Sequence, residues 1–163
     1  MYKPLLFVFL LAVQPAAHAQ PRHVHGEGRL DVTIDKGTLT LNLELPLDAA
    51  VGFERAPKTD KETLAHAGAE KTLKDAAALF VPTAAAQCVP SKIEVGMPAF
   101  GNGEHADIDA EYVFTCSDPA TLKEIETTLF KSFKRLYRLE VQRTGPTGQG
   151  AARLTPKKPV LSW

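Results

Sequence analysis

The sequence has few cysteines and one tryptophan, and neither sign of charge is in excess. Only two of its 163 residues are cysteines, and nineteen lysines and arginines balance nineteen acidic residues. A nucleic-acid-binding protein usually has a basic surface, so this composition does not favour nucleic acid as a partner. The two cysteines are not in a CxxC spacing, so no sequence pattern indicates a thiolate metal site or a redox pair.

Long apolar runs are also missing, apart from one near the amino terminus. Leu5–Val13 follows Lys3 and precedes the triplet AHA at residues 17–19. This order is typical of a signal peptide with a small-x-small cleavage site, and the run is shorter than the roughly 20 apolar residues of a membrane span. We therefore predict a signal peptide over residues 1–19, cleavage near Ala19, a periplasmic or secreted location, and no membrane span in the mature chain.

An even number of cysteines in an exported chain favours a disulfide. We therefore predict a bond between Cys88 and Cys116, which would leave no free thiol for catalysis. No serine lies in a nucleophile-elbow sequence, and the glycines of residues 145–150 lack the Lys-Ser/Thr ending of a phosphate-binding loop. We expect that the protein is not an enzyme.

Alternation of apolar and polar residues dominates the stretch from His23 to Pro46. Aliphatic residues occupy every second position on both sides of Asp35-Lys36-Gly37. This period of two puts one set on each face of a sheet, and Gly37 allows the positive φ of a tight turn. The stretch predicts a long antiparallel hairpin. Its apolar face must be covered, because its seven aliphatic side chains gain about 1.5–3 kcal/mol each on burial.

Two later segments predict helices. Thr59–Glu62 has the pattern of a capping box, and the run that follows to about Phe80 is rich in good helix formers. Asp118-Pro119 provides an acceptor at an N-cap and a proline at the first helical position. The second helix would bury an apolar stripe made of Leu122, Ile125, Leu129 and Phe133.

Four further segments predict strands. They are Gln87–Val95, Glu104–Cys116, Arg135–Thr144 and Ala151–Leu154. The resulting order is ββαββαββ, and its hairpin-like connections favour a mainly antiparallel sheet. We therefore predict an α+β fold with two helices packed on one face of the sheet and one disulfide. A single domain would cover residues 20–156, and residues 157–163 would form a C-terminal tail.

Histidines near the predicted strand ends are the best chemical clue in the chain. His23 and His25 are two residues apart, so on a strand both rings would point to the same side. Neutral imidazole is the commonest side-chain ligand for zinc, and copper or nickel would accept the same groups. A second pair with the same spacing would complete a four-ligand set. The set comprises His23, His25, His105 and Asp107, with Glu54 and Glu104 as substitutes.

The spacing of these residues also leaves a different function open. In that alternative the histidines are incidental, and the protein is a non-enzymatic interaction module. Its exposed sheet face would then dock a periplasmic or permease partner.

Four segments of the chain read HVHGEGRLDVTID, VGFERAPKTDKE, YVFTC and GPTGQGAARL. Together they resemble the ZrgA-like family, which consists of exported bacterial proteins linked to zinc uptake. The resemblance covers nearly the whole mature chain. It implies that the partner is a divalent metal ion, with zinc bound in the periplasm and delivered to a component of an uptake transporter. The candidate ligands that the resemblance implies are His23, His25, Glu54, His105 and Asp107.

Two departures from the family pattern lower the expected zinc capacity. Family members often carry a long His/Asp-rich insert where this chain has GNGEHADIDAE, and often a histidine where it has Arg55. We therefore predict one zinc site of modest affinity, with a role in zinc acquisition or buffering.

Overall fold

The computed structural model describes residues 24–100 and 106–163, so the predicted signal peptide lies outside the described residues. The strands are β1 (Glu27–Asp35), β2 (Thr38–Pro46), β3 (Phe80–Pro82), β4 (Cys88–Gly96), β5 (Asp107–Cys116), β6 (Glu124–Thr127), β7 (Arg138–Gly145), β8 (Gly148–Leu154) and β9 (Val160–Ser162). The α-helices are α1 (Leu47–Val51), α2 (Asp60–Leu73), α3 (Ala76–Leu79) and α4 (Leu129–Ser132). The fold mixes helix and sheet, and sheet dominates.

A six-stranded sheet in the order β4-β5-β2-β1-β7-β8 is the framework of the fold. Its neighbouring strands run antiparallel except for β1 and β7, which are parallel. The β1–β2 hairpin occupies the centre of the sheet, and Gly37 in its turn has a φ of 87°. The structure therefore confirms the predicted hairpin and the mainly antiparallel sheet.

One face of this sheet forms the core. Leu39, Leu41 and Leu45 of β2 are 0% exposed, and so is Tyr112 of β5. They share a single cluster with buried residues of the helices and of a smaller sheet in the order β3-β6-β9. The alternate residues of β1 and β2, such as Thr33, remain at the surface. The period-two pattern in the sequence thus determines which face of the sheet is covered.

The predicted second helix is wrong. Residues from Asp118 onward form a single 3₁₀ turn at Pro119–Thr121, then β6, then the four-residue α4. Both β3 and β9 supply hydrogen-bond partners for β6, and they lie far away in sequence. The spacing of the apolar stripe was compatible with a helix. The backbone amides and carbonyls of β6 instead form hydrogen bonds with these remote strands. All four members of the stripe are nonetheless buried: Leu122, Ile125, Leu129 and Phe133.

The first predicted helix ends earlier than expected. The Thr59 hydroxyl accepts a hydrogen bond from the Glu62 amide at 3.2 Å, as the capping box requires, but α2 ends at Leu73. Asp75 then caps the separate helix α3, and Phe80 already belongs to β3. The order ββαββαββ is not confirmed, because the described ranges contain nine strands and four α-helices. None of these described helices is long and apolar enough to cross a membrane.

The C-terminal residues, expected to form a tail, contribute β9 instead. Val160–Ser162 pairs with β6, and the side chain of Leu161 is buried. Trp163 packs against the core, and its amide donates to the Lys123 carbonyl oxygen at 3.1 Å. Long-range pairing of this kind leaves no local signal in the sequence.

The predicted disulfide is confirmed. Cys88 begins β4, Cys116 ends β5, and the two residues are direct partners in the strand register. Strand β4 lies at the edge of the six-stranded sheet, with β5 as its neighbour. The bond therefore fastens an edge strand to the central part of the sheet.

Removal of the disulfide should destabilise the protein. The bond joins residues 28 positions apart, and a loop of that length contributes about 3–4 kcal/mol. The double variant Cys88→Ala/Cys116→Ala should therefore unfold roughly 10 °C lower than the oxidised parent in a thermal melt followed by circular dichroism. Reduced parent protein is the control and should melt near the double variant. Equal midpoints for the variant and the oxidised parent would contradict this assignment.

Candidate metal centre

Three side chains that can bind a metal converge at the end of the main sheet where β1 begins and β2 ends. His25 precedes β1, Asp48 is the second residue of α1, and Glu54 follows the end of α1. One ligand atom from each residue lies within 4.8 Å of the other two. No other group of three histidine, cysteine or acidic residues comes this close in the part of the chain that the structure describes.

The distances in this group suit a metal ion. Nδ1 of His25 lies 3.1 Å from Oε1 of Glu54 and 3.4 Å from Oδ2 of Asp48. A tetrahedral zinc ion with bonds of roughly 2.0–2.1 Å separates its ligand atoms by about 3.3 Å. The same distances also suit a protonated imidazole paired with two carboxylates. The three side chains can therefore share either a proton or a cation.

A tight turn positions His25. Gly26 has a φ of 73°, and a Cβ at this position would lie 2.7 Å from the carbonyl oxygen of Arg135. Strand β1 starts only at Glu27, so His25 lies in the turn and not on the strand. This corrects the expectation that backbone pleating aligns its ring with that of His23, which lies outside the described residues.

The short helix α1 carries Asp48 into a buried position. Asp48 is 7% exposed, because its neighbours Leu47 and Ala49 are packed in the core. Its Oδ1 atom is buried and accepts no hydrogen bond from the described residues. A buried carboxylate oxygen without a donor is costly, and a bound cation would remove that cost. The lack of a donor to this oxygen is the strongest indication that the group can bind a metal ion.

Gly52 directs the chain back towards the site. It ends α1 in the left-handed conformation with a φ of 90°, and its amide donates to the Asp48 carbonyl oxygen at 2.8 Å. The chain therefore reverses within a few residues, and Glu54 comes to lie beside His25.

Arg55, which follows Glu54 in the sequence, is paired with a carboxylate outside the group of three side chains. Its guanidinium donates two hydrogen bonds to the Glu62 carboxylate, at 2.7 and 2.9 Å. The Lys58 amide donates to the same carboxylate at 2.6 Å. These hydrogen bonds, with that from Arg55 the largest cause, lower the pKa of Glu62 from 4.5 to about 2. They attach the loop that carries Glu54 to the start of α2.

Glu27 is engaged elsewhere, although it lies only two residues from His25. The Tyr137 hydroxyl donates to one of its oxygens at 2.7 Å, and Arg138 pairs with the other. Tyr137 also lines a cleft of about 300 Å³ beside His25 and Asp48. The cleft gives solvent and ions access to the group.

The structure describes three of the six predicted ligands. His25 and Glu54 lie in the group, whereas Asp107 begins β5 opposite Pro46. The Leu47 amide donates to the Ala106 carbonyl oxygen at 2.8 Å, so β5 begins at the same end of the sheet. The remaining predicted ligands lie outside the described residues: His23, Glu104 and His105.

Asp48 was not predicted from the sequence. No helix was predicted directly after Pro46, whereas α1 follows β2 without a gap. The available signal was an isolated acidic residue within the apolar segment Leu47–Val51. Only the tertiary packing of this segment makes its carboxylate a buried group.

The sequence matches the family model described as ZrgA family zinc uptake protein over residues 22–163. No curated protein matches the sequence. The match includes the three converging side chains and every described element of the fold, and it confirms the resemblance drawn from the sequence motifs.

The turn at Gly26 should not tolerate a side chain. We expect Gly26→Ala to lower the free energy of unfolding by about 1–3 kcal/mol, because the new Cβ meets the Arg135 carbonyl oxygen and the Tyr137 ring and the φ is positive. Urea denaturation followed by circular dichroism measures this change. Gly68→Ala is the matched control, since a Cβ at Gly68 in α2 meets nothing within 4 Å and should raise stability slightly. Equal stability of the Gly26→Ala variant and the parent would contradict the described turn.

The Arg55–Glu62 pair should make stability depend on acid. The folded-state pKa of Glu62, about 2, is below its ordinary value of 4.5. Its ionised form therefore stabilises the fold fully above pH 4.5, and this contribution is lost as the pH falls through about 2. Glu62→Gln should lose less stability than the parent over this window in urea denaturation. Glu126→Gln, on β6, is the control and should follow the parent; identical pH profiles for all three proteins would refute the assignment.

Proposed function

The chain belongs to the ZrgA family of zinc uptake proteins, and we propose that it binds one zinc ion at His25, Asp48 and Glu54. In this proposal the protein is exported, acts in the periplasm, and acquires or buffers zinc as its cargo. Export is an expectation for the family and for the amino-terminal sequence, with cleavage near Ala19.

The buried carboxylate of Asp48 is the observation that carries the proposal. Its Oδ1 atom has no donor among the described residues, and its Oδ2 atom faces an imidazole at 3.4 Å. A neutral imidazole and two carboxylates provide two negative charges, which equal the charge of a divalent cation. Carboxylate oxygens and imidazole nitrogen are both established ligands of zinc.

The exposure of the group favours reversible binding. The side chain of His25 is 69% exposed, whereas that of Asp48 is 11% exposed. An ion can therefore enter from the solvent side and exchange with another protein without opening the fold. This arrangement suits a site of modest affinity that passes zinc to an uptake transporter component. Copper and nickel would accept the same ligands, so the selectivity for zinc depends on supply as well as on the site.

Further ligands would complete a tetrahedral site. Asp107 begins β5 at the same end of the sheet, and His105 precedes it by two residues in the sequence. We retain His23, His105, Asp107 and Glu104 as predicted contributors, and a water molecule can fill a remaining position.

Calorimetric titration with zinc tests the proposal. The mature parent should bind one equivalent with a dissociation constant well below about 1 mM. His25→Ala, Asp48→Asn and Glu54→Gln should each weaken binding about tenfold or more, because each removes a direct ligand. Binding should also weaken below about pH 6, since the imidazole must lose its proton before it binds the metal.

His66→Ala is the matched control for the zinc titration. His66 lies on α2, outside the group of three side chains, and its replacement should leave zinc affinity unchanged. His23→Ala, His105→Ala and Asp107→Asn then identify which predicted residues add ligands. A parent that binds zinc no better than about 1 mM would refute the proposal, as would equal affinity for the parent and His25→Ala/Asp48→Asn.

A second candidate function is that of an interaction module, and the outer face of the sheet favours it. A concave surface of about 520 Å³ crosses β1, β2, β4 and β5. Its acidic lining residues are Asp31, Glu44, Glu94, Asp109 and Glu111. A partner that remains attached in the presence of a chelator would support this function, whereas loss of the partner on chelation would support a role dependent on zinc.

A further inference from the structure

Arg143 is a buried cation without a described acidic partner. It is 9% exposed and lies on the core face of β7, opposite Val32 of β1 and Gly150 of β8. Its Nη1 atom donates to the Thr147 hydroxyl at 3.0 Å and to a neighbouring backbone carbonyl. In the residues that the structure describes, no carboxylate forms an ion pair with it. A buried charge that lacks a counter-charge is costly, so an anion near Arg143 would be stabilised.

Trp163 covers this arginine. The guanidinium carbon of Arg143 lies 5.6 Å from the centre of the Trp163 ring, which is within the range of a cation–π contact. Strand β9 and the hydrogen bond from the Trp163 amide to Lys123 hold the ring in place. Gly150 lies against the guanidinium, since a Cβ there would contact Nη2 at 3.4 Å. The arginine and the ring therefore form a fixed wall.

Trp163 also lines a cavity of about 310 Å³, which Arg143 itself does not line. Apolar side chains supply most of its lining: Ile34, Pro119, Ala120, Leu122, Pro146 and Trp163. Lys36 and Lys123 line it as well, and no acidic residue does. Thr147, which accepts the hydrogen bond from Arg143, is also in the lining. The cavity thus combines a mainly apolar lining with two lysine side chains.

This cavity is far from the candidate metal centre. It adjoins the turn that follows β1, whereas His25 precedes β1. The nine residues of β1 span roughly 26 Å at about 3.3 Å per residue. Binding in the cavity can therefore be measured independently of zinc.

We propose that this cavity binds a small amphipathic anion, namely a carboxylate attached to a compact aromatic or branched aliphatic body. The apolar lining accommodates the body, and the lysine ammonium groups bind the carboxylate, with Arg143 adding a third positive charge behind the lining. The volume of about 310 Å³ is at the lower end of the roughly 300–1,000 Å³ found for small-molecule sites. The size favours one small molecule over a peptide segment.

Phenylacetate is a suitable probe, and Trp163 is a built-in reporter because the chain has one tryptophan. Titration of the mature protein with phenylacetate should change the tryptophan fluorescence saturably, with a dissociation constant of about 1 mM or lower. The neutral analogue 2-phenylethanol should bind at least about tenfold more weakly, because it lacks the charge.

Matched variants locate the binding site. Lys36→Ala/Lys123→Ala should weaken phenylacetate binding about tenfold while zinc binding stays unchanged. Lys131→Ala, on α4, should bind phenylacetate like the parent. Lack of a saturable fluorescence change would overturn the proposal. Equal affinities for phenylacetate and 2-phenylethanol, or for the parent and the double variant, would also overturn it.

Discussion

Burial of one face of the β1–β2 hairpin is the constraint on which the rest of the structure depends. Three leucines of β2 are completely inaccessible to solvent. A hairpin with such a face cannot remain exposed to water, so β5 and β7 pair along its two edges and the helices cover it. The open end of the hairpin is then the place where the chain enters and leaves it. The candidate metal centre lies at this open end, whereas the cavity at Trp163 adjoins the turn at the opposite end of the hairpin.

The candidate metal centre follows from how β2 ends. Strand β2 passes directly into α1, whose residues Leu47 and Ala49 are drawn into the core. Asp48 lies between them and is therefore buried as well. Its carboxylate needs a counter-charge in this position. His25 reaches it because a glycine turn precedes β1, and Glu54 reaches it because α1 ends after one turn. A metal ion that joins the group would offset the cost of burying this carboxylate.

Local patterns were enough to predict the hairpin, the strand β5 and the disulfide. The hairpin depends on residues close in sequence, such as Gly37 in its turn. The disulfide depends on the simple pairing of two cysteines. The second helix was predicted wrongly because the spacing from Leu122 to Phe133 suits a helix, and strand β6 forms only through partners remote in sequence. His25 and Glu54 of the candidate metal centre were among the predicted residues, but Asp48 required knowledge of tertiary burial.

We propose that His25 and Asp48 bind the same zinc ion. A crystal structure of the zinc-loaded mature protein, with anomalous data collected at the zinc absorption edge, tests it most directly. An anomalous peak should lie roughly 2.0–2.2 Å from Nδ1 of His25 and from a carboxylate oxygen of Asp48. A zinc peak bound elsewhere, with Asp48 and His25 joined only by a hydrogen bond, would contradict it.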